Sequence, residues 1–307
     1  MAQSQALNSL SNHLGPHCIT LRSSGVFLTT IASLLWGTTL VATGIGLQHA
    51  NPYNLLFLRF TTASTVVIIL AFLLNRRFGI KQELCRSTTW VLSAIYASGF
   101  LLQYVGQDLA SASDATLLSN LAPALVPIAA LVLLKEGFSN VRIGATALSL
   151  LGLVLVSSPR LHLGSSSLVG DLLLFGASLC YAFFIVLSKR LNATSVGSAF
   201  AIMISTTAFL APVAVFFGGL NPFGFQMDLA GWASIMYLGV PCSVLAISLY
   251  LKGLKQITAS QSASLLLLQL PTGLILAASI LGETLSLFAI AGAASVTAAI
   301  ILSSIQS

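Results

Sequence analysis

Ten long apolar stretches, separated by short polar gaps, dominate this chain of 307 residues. A helix needs about 20 apolar residues to cross the ~30 Å hydrocarbon core of a bilayer, and most of these stretches are close to that length. Charged residues make up only 7% of the chain and hydrophobic residues 56%, whereas soluble domains carry roughly 25% charged residues. We therefore predict an all-α membrane protein with ten transmembrane helices. The stretches are Gly25–Leu47, Tyr53–Leu74, Thr89–Gln107, Ser113–Leu134, Arg142–Ser157, Leu168–Ser188, Val196–Phe217, Ala230–Leu251, Ala259–Leu281 and Leu285–Ser304.

The basic residues fall mainly in alternate gaps between these stretches. With a cytoplasmic amino terminus, the cytoplasmic segments hold 11 of the 13 basic residues: Arg22, Arg76, Arg77, Lys81, Arg86, Lys135, Arg142, Lys189, Arg190, Lys252 and Lys255. The opposite side holds only Arg160, and Arg59 falls within the second stretch. This asymmetry matches the positive-inside rule. It predicts a multi-pass protein of the plasma (inner) membrane with both termini cytoplasmic and a polar, disordered tail at residues 1–24.

The two halves of the chain resemble each other. Ile31–Gly37 (IASLLWG) aligns with Gly176–Ala182 (GASLCYA), and the series Gly106, Ala112, Ser113, Glu136 aligns with Gly253, Ala259, Ser260, Glu283. Because each half has an odd number of predicted spans, the second half enters the membrane from the opposite side. We predict two inverted five-helix repeats around a central cavity, at residues 25–158 and 168–304, joined by a linker at 159–167. Glu136 and Glu283 are interpreted as turn carboxylates or helix caps.

Several function classes lack the motifs that they need. The sequence contains no GxxxxGK[ST] phosphate-binding loop and no HExxH or GxSxG hydrolase motif. The four cysteines lie far apart and are interpreted as apolar fillers or free thiols. The basic residues form no stripe, which argues against nucleic acid as a partner. We therefore predict no enzyme, no cofactor and no metal. The expected partners are membrane lipids, a small-molecule substrate and a proton or counter-solute.

Short motifs recur in a fixed order along the apolar stretches: Leu35-Trp36-Gly37, Leu58-Arg59-Phe60, Leu121-Ala122-Pro123, Glu136, Gly170-Asp171-Leu172 and Gly282-Glu283. From about Gly25 to Ser304 the chain resembles the drug/metabolite transporter superfamily, in its EamA-domain group. The resemblance implies a basket of ten helices around a central cavity, alternating access, and export or exchange of amino acids or related metabolites. Relatives often carry a glutamate just before the proline of the ninth span. Here Gln269 stands at that spacing, so an acid that could carry a proton is absent.

Three amides within the stretches are candidates for substrate binding. Polar groups inside a membrane helix normally face protein or a water-filled path, because lipid offers them no partner. Helical spacing places Asn120 on one face with Pro123, a predicted helix break, and places Gln103 on one face of the third span. Gln269 lies beside Pro271, a second predicted break. The alternative for each amide is a hydrogen bond between helices, and for Asn120 an ordinary proline kink.

Two aromatic residues occupy equivalent places near the middle of the first and sixth spans. They are Trp36 and Tyr181, which align in the internal repeat. Trp and Tyr usually mark the membrane interfaces, so a pair in the middle of the membrane has another role. We interpret both as aromatic walls of a substrate cavity. Packing against small residues is the alternative.

Arg59 is the basic residue that lies deepest in a predicted span. A cation in hydrocarbon is costly, and pairing with an acid reduces that cost. Asp114 is predicted at a similar depth, so we expect Arg59 and Asp114 to form a structural or gating ion pair, with Asp114 also the candidate for coupling transport to protonation. The alternative for Arg59 is a clamp for a substrate carboxylate.

The predicted function is a secondary transporter of small organic metabolites. Two alternatives remain open at this level. One is a flippase for a lipid-linked substrate, which would need a cavity open sideways to lipid. The other is a non-transporting membrane subunit or sensor that needs a partner chain.

Overall fold

The computed structural model describes residues 16–73, 78–110, 118–137, 140–157, 168–219, 227–281 and 287–305. Within these ranges the regular structure is entirely helical. The helices are α1 (Pro16–Gly37), α2 (Thr39–Leu47), α3 (Pro52–Leu73), α4 (Ile80–Leu84), α5 (Ser87–Leu109), α6 (Ala122–Leu134), α7 (Asn140–Ser157), α8 (Leu168–Arg190), α9 (Val196–Gly218), α10 (Leu229–Gly239), a π-helix (Val240–Leu245), α11 (Ala246–Leu254), α12 (Ala259–Leu266), α13 (Gln269–Leu281) and α14 (Leu287–Ile305).

Six helical segments of the described chain are long and apolar enough to cross a bilayer: Ser23–Leu47, Pro52–Leu73, Leu168–Arg190, Val196–Gly218, Leu229–Leu254 and Ala259–Leu276. Shorter apolar helices accompany them at Ala122–Leu134 and Ile290–Ala299. Large apolar side chains such as Phe72 and Phe216 are exposed on the outside of the bundle, as lipid-facing residues are. The protein is therefore a multi-pass membrane protein.

The first helix begins earlier than the sequence predicts. Within the described chain α1 already includes residues 16–24, which belong to the segment 1–24 that we expected to be disordered. Residues 1–15 lie outside the described part of the chain.

Helix pairing follows a pattern expected of two related halves. Helix α3 packs on α9, α6 on α12 and α7 on α14, so each pair joins equivalent predicted spans of the two halves. The pairing of α5 with α8 likewise has a counterpart in α1 with α11. In these five pairs, one helix comes from residues 25–158 and its partner from residues 168–304. The core is thus formed between the halves.

A π-helix interrupts the predicted eighth span, and the sequence analysis did not anticipate it. It runs from Val240 to Leu245 and contains Pro241. Proline has no N–H to donate to the preceding turn, and π-helical turns are frequent at functional sites. Two residues of this segment, Cys242 and Ser243, contact residues that line the central cavity described below.

The first span is also interrupted, at Thr38, and the preceding Gly37 lies where α1 approaches α13 closely. A Cβ atom at Gly37 would lie 2.6 Å from the Cβ of Thr272 and 2.9 Å from the backbone oxygen of Gln269. Real side chains do not make contacts this short, so only glycine allows this approach. The close contact places the start of α13 beside Trp36.

Candidate functional site

A cavity lies among helices from both halves. The polar residues that line it are Thr39, Thr43, Arg59, Gln103, Gln107, Ser119, Asn120 and Gln269. The aromatic residues that line it are Trp36, Tyr96, Phe100, Tyr104, Tyr181, Phe184 and Tyr250.

The residues predicted from the sequence to bind substrate all lie at this cavity: Trp36, Gln103, Asn120, Tyr181 and Gln269. Arg59 and Pro123 line it as well, whereas Pro271 does not belong to the lining. Asp114 lies outside the described residues. The structure thus brings the predicted residues together, and their role in substrate binding stays a prediction.

Tyr181 and Gln103 form a polar pair across the two halves. The Tyr181 hydroxyl donates to the Gln103 side-chain oxygen at 2.5 Å. This bond fixes which way the amide points, because its oxygen faces the hydroxyl and its nitrogen faces elsewhere. Among the described residues, no protein group accepts a hydrogen bond from the Gln103 nitrogen.

Trp36 is held in place by a hydrogen bond from its ring nitrogen and by packing of its ring against Tyr250. Its indole N–H donates to the backbone oxygen of Cys242 in the π-helix at 2.9 Å. The ring centroids of Trp36 and Tyr250 are 5.1 Å apart, and the Tyr250 hydroxyl is 3.2 Å from the Ser262 hydroxyl. With its polar group bonded, the indole presents a rigid apolar wall to the cavity.

A second group of aromatic rings also lines the cavity. Tyr96 stacks on Phe184 with ring centroids 4.4 Å apart, and it meets Phe100 edge to face at 4.8 Å. Phe100 in turn meets Tyr181 at 5.3 Å. Interlocked rings lose little freedom when a ligand binds, so this cluster is a preformed surface for an apolar or planar group.

Asn120 and Gln269 both lie at breaks in helical structure. Leu118 and Ser119 are helical, Asn120 lies in a turn, and α6 begins at Ala122 with Pro123 in its first turn. Helix α12 ends at Leu266, and Gln269 is the first residue of α13. Breaks of this kind in membrane helices are tolerated where the backbone is buried in protein or lines a cavity.

Arg59 is buried, with 2% of its surface exposed, and its observed partners are neutral. Its Nε donates to the Ser243 hydroxyl at 2.9 Å, and its Nη1 donates to the Tyr104 hydroxyl at 3.1 Å. The guanidinium carbon lies 4.7 Å from the centre of the Phe100 ring. The predicted pairing with Asp114 falls outside the described residues.

Tyr104 and Ser243 are the contacts of Arg59 that sequence reasoning missed. Tyr104 could have been found, since it follows Phe100 by one helical turn on the cavity side of α5. Ser243 carries no such signal. It depends on the π-helix, whose turn lets the Ser243 hydroxyl donate to the backbone oxygen of Leu238 at 2.8 Å.

Glu136 caps a helix of the other half. Its carboxylate accepts the backbone N–H groups of Ala259 at 2.8 Å and Ser260 at 3.2 Å, and the Ser260 hydroxyl at 2.8 Å. Lys189 lies 3.9 Å from the same carboxylate. A carboxylate at a helix N-terminus satisfies unpaired N–H groups and complements the helix dipole. Of the two interpretations from the sequence, the helix cap is therefore the correct one for Glu136.

Among the residues that the structure describes, no group of three or more His, Cys, Asp or Glu side chains is placed to hold a metal ion. Cys85, Cys180 and Cys242 are unpaired thiols.

Known proteins match this chain over most of its length. The model of the EamA-like transporter family matches residues 23–158 and again residues 168–305. An uncharacterized transporter of Archaeoglobus fulgidus is 30% identical over 239 residues, which cover 74% of this chain and 78% of that protein. The uncharacterized transporter YyaM of Bacillus subtilis is 24% identical over 275 residues, covering 85% of this chain and 87% of that protein.

One solved crystal structure has the same fold, with a TM-score of 0.78 at 20% identity, covering 93% of this chain and 98% of the other. The double family match covers nearly the whole chain and agrees with the resemblance to the drug/metabolite transporter superfamily. This chain belongs to the EamA-like transporter family.

Proposed function

We propose that this chain is a secondary transporter that moves small organic metabolites, such as amino acids or related compounds, across the plasma (inner) membrane by alternating access. The observation that carries this proposal is the cavity between the two halves, lined by amides and fixed aromatic rings. A site at the interface of two repeats is the usual arrangement in secondary transporters. The amides suit a polar group of the solute, and the rings suit its apolar part.

The proposed topology has ten spans in two inverted repeats, residues 25–158 and 168–304, with both termini cytoplasmic. Two observations support this topology. Each of the ten predicted stretches contains a helix in the described chain, and the five helix pairs described above each join one helix of the first half to one of the second. Reporter fusions at residues 1 and 307 test it. We expect both reporters on the cytoplasmic side. Reporters on opposite sides of the membrane would mean an odd number of spans and would contradict the proposed ten.

Transport itself is tested with purified protein in liposomes. We expect saturable counterflow of at least one labelled solute from a panel of amino acids and organic acids, with accumulation when a proton or solute gradient is imposed. A protein that is monodisperse and correctly folded, yet moves none of the panel, would count against a transporter. It would favour the non-transporting subunit instead.

Replacing Tyr181 with phenylalanine should weaken solute binding modestly. The change keeps the ring in its aromatic cluster but removes the hydroxyl that orients the Gln103 amide. Loss of one hydrogen bond of this kind typically weakens binding by about three- to tenfold. The apparent affinity in counterflow measures the effect.

The matched control for that substitution is Tyr237→Phe. The Tyr237 hydroxyl also donates a hydrogen bond, to the Thr38 hydroxyl at 2.8 Å, but Tyr237 does not line the cavity. We expect an unchanged affinity in this variant. An equal loss in both variants would show that the Tyr181 effect is not specific to the cavity.

A further inference from the structure

We propose that Arg59 is the anchor for a carboxylate group of the transported solute. This inference rests on the proposed transport function and narrows it to one substrate class: small organic acids with a single carboxylate and an apolar or aromatic body. It starts from a charge that the described protein does not neutralise.

Arg59 has more hydrogen-bond donors than the described residues accept. A guanidinium carries five N–H groups. One is donated to Ser243 and one to Tyr104, and within the described ranges the others have no protein acceptor. Both acceptors are neutral hydroxyls, and none of the ion pairs seen in the described chain includes Arg59.

This cation is nevertheless buried within the membrane-spanning bundle. Taking a charge out of water is unfavourable unless a partner compensates it. The Phe100 ring, 4.7 Å from the guanidinium carbon, attracts the cation through its π electrons. Hydrogen bonds to hydroxyls and contact with a ring offset part of the cost. A carboxylate bound in the cavity would supply the missing negative charge.

The charge in the cavity favours a carboxylate over a phosphate ester. The planar guanidinium fork can hold two oxygens of either group, so the net charge discriminates between them. Arg59 is the one charged side chain among the cavity-lining residues that the structure describes, so the cavity complements a single negative charge. A phosphate carries close to two negative charges at neutral pH and would leave one of them unpaired here.

The neighbours of Arg59 indicate what the rest of the solute looks like. Phe100 lies over the guanidinium and contacts both Tyr96 and Tyr181. The amide of Gln103 is hydrogen-bonded to the Tyr181 hydroxyl. An organic acid with its carboxylate on Arg59 would therefore place its apolar body along these rings, within reach of one amide.

Paired ligands that differ only in charge test the anchor. The probes are 3-phenylpropionate with 3-phenylpropionamide, and 3-methylbutanoate with 3-methylbutanamide, with binding measured by the shift in melting temperature of the detergent-purified protein. We expect the wild-type protein to bind each carboxylate about thirtyfold or more tightly than its amide, the scale of a buried charge pair. Equal binding of acid and amide would overturn the proposal.

Substitutions then assign the preference to Arg59. Arg59→Gln should abolish the preference for the acid, and Arg59→Lys should retain part of it, because the charge remains and the planar fork is lost. Arg86→Gln is the matched control, since Arg86 is exposed and pairs with Glu83. It should leave the preference intact. If Arg59→Gln does not fold, the lysine variant and the wild-type ligand pairs still decide the question.

Asp114→Asn tests the ion-pair alternative. If Asp114 neutralised Arg59, its removal would strengthen carboxylate binding; we expect no change. Flux measurements separate this inference from the proposed function. Flux of uncharged solutes without a preference for acids would overturn the role of Arg59 and leave the proposed transport function standing. Tight, Arg59-dependent binding of carboxylates without any flux would overturn the transport function and leave the role of Arg59 standing.

Discussion

Replacing Gly253 with leucine should strongly destabilise the protein. A Cβ atom at Gly253 would lie 2.5 Å from the Thr29 hydroxyl oxygen and 2.8 Å from the backbone oxygen of Gly25. The Gly25 contact involves backbone, so no change of side-chain rotamer relieves it, and α1 and α11 must move apart. Overpacking a close interface typically costs 1–3 kcal/mol, and displacing a helix backbone places this substitution at about 3 kcal/mol or more.

The matched control is Gly44→Leu. Gly44 is exposed on α2, and a Cβ atom there would meet no atom within 4 Å. We expect this variant to match the wild type or exceed it slightly, because glycine is a poor helix former. The measurement is the fraction that stays monodisperse on size-exclusion chromatography after heating in detergent. Similar losses at both positions would show that added bulk, rather than the α1–α11 contact, causes the effect.

Replacing Glu136 with alanine should open the end of the bundle where α6 and α12 meet. The carboxylate accepts three hydrogen bonds from Ala259 and Ser260 and lies close to Lys189. Losing a charged acceptor of this kind costs about 2 kcal/mol. In the alternating-access cycle that we propose, that cost changes the ratio of the two states about thirtyfold. Since Glu136 joins one half to the other, the loss should favour the state in which this end is open.

Cysteine accessibility measures this opening. The reporter is a cysteine in place of Ser262, which lies on α12 and is fully buried, in a background without the native cysteines. We expect its alkylation to be about tenfold to thirtyfold faster when Glu136 is alanine.

Glu83→Ala provides the control for Glu136→Ala. Glu83 lies on α4, away from the contact of α6 with α12, and pairs with Arg86 at 3.1 Å. Ion pairs with an exposed partner contribute roughly 0–1 kcal/mol to stability. It should leave the alkylation rate unchanged. Unchanged alkylation in the Glu136 variant would show that this contact does not hold the end closed.

The sequence was informative about the cavity because a membrane constrains polar residues strongly. Gln103 and Asn120 cannot face lipid, and helical spacing then determines which residues share their face. The internal repeat identified Trp36 and Tyr181 as equivalent, and both line the cavity. These inferences needed only local geometry and the cost of exposing a polar group.

The contacts between helices could not be predicted in the same way. The hydrogen bond from Arg59 to Ser243 joins residues 184 positions apart, and no periodicity relates them. Likewise, the sequence suggested that Glu136 caps a helix but not that the helix belongs to the other half. The π-helix was missed because Pro241 in an apolar run fits an ordinary kink equally well.

The pairing of helices between the halves has a consequence for biogenesis. Helices made early, such as α1, α3 and α5, find their main packing partners in the second half of the chain, which the ribosome synthesises later. The early segments must therefore wait in the bilayer with unmatched surfaces. The last partner to arrive is α14, so a nascent chain truncated before α14 would leave α7 without its principal partner and be exposed to membrane proteases.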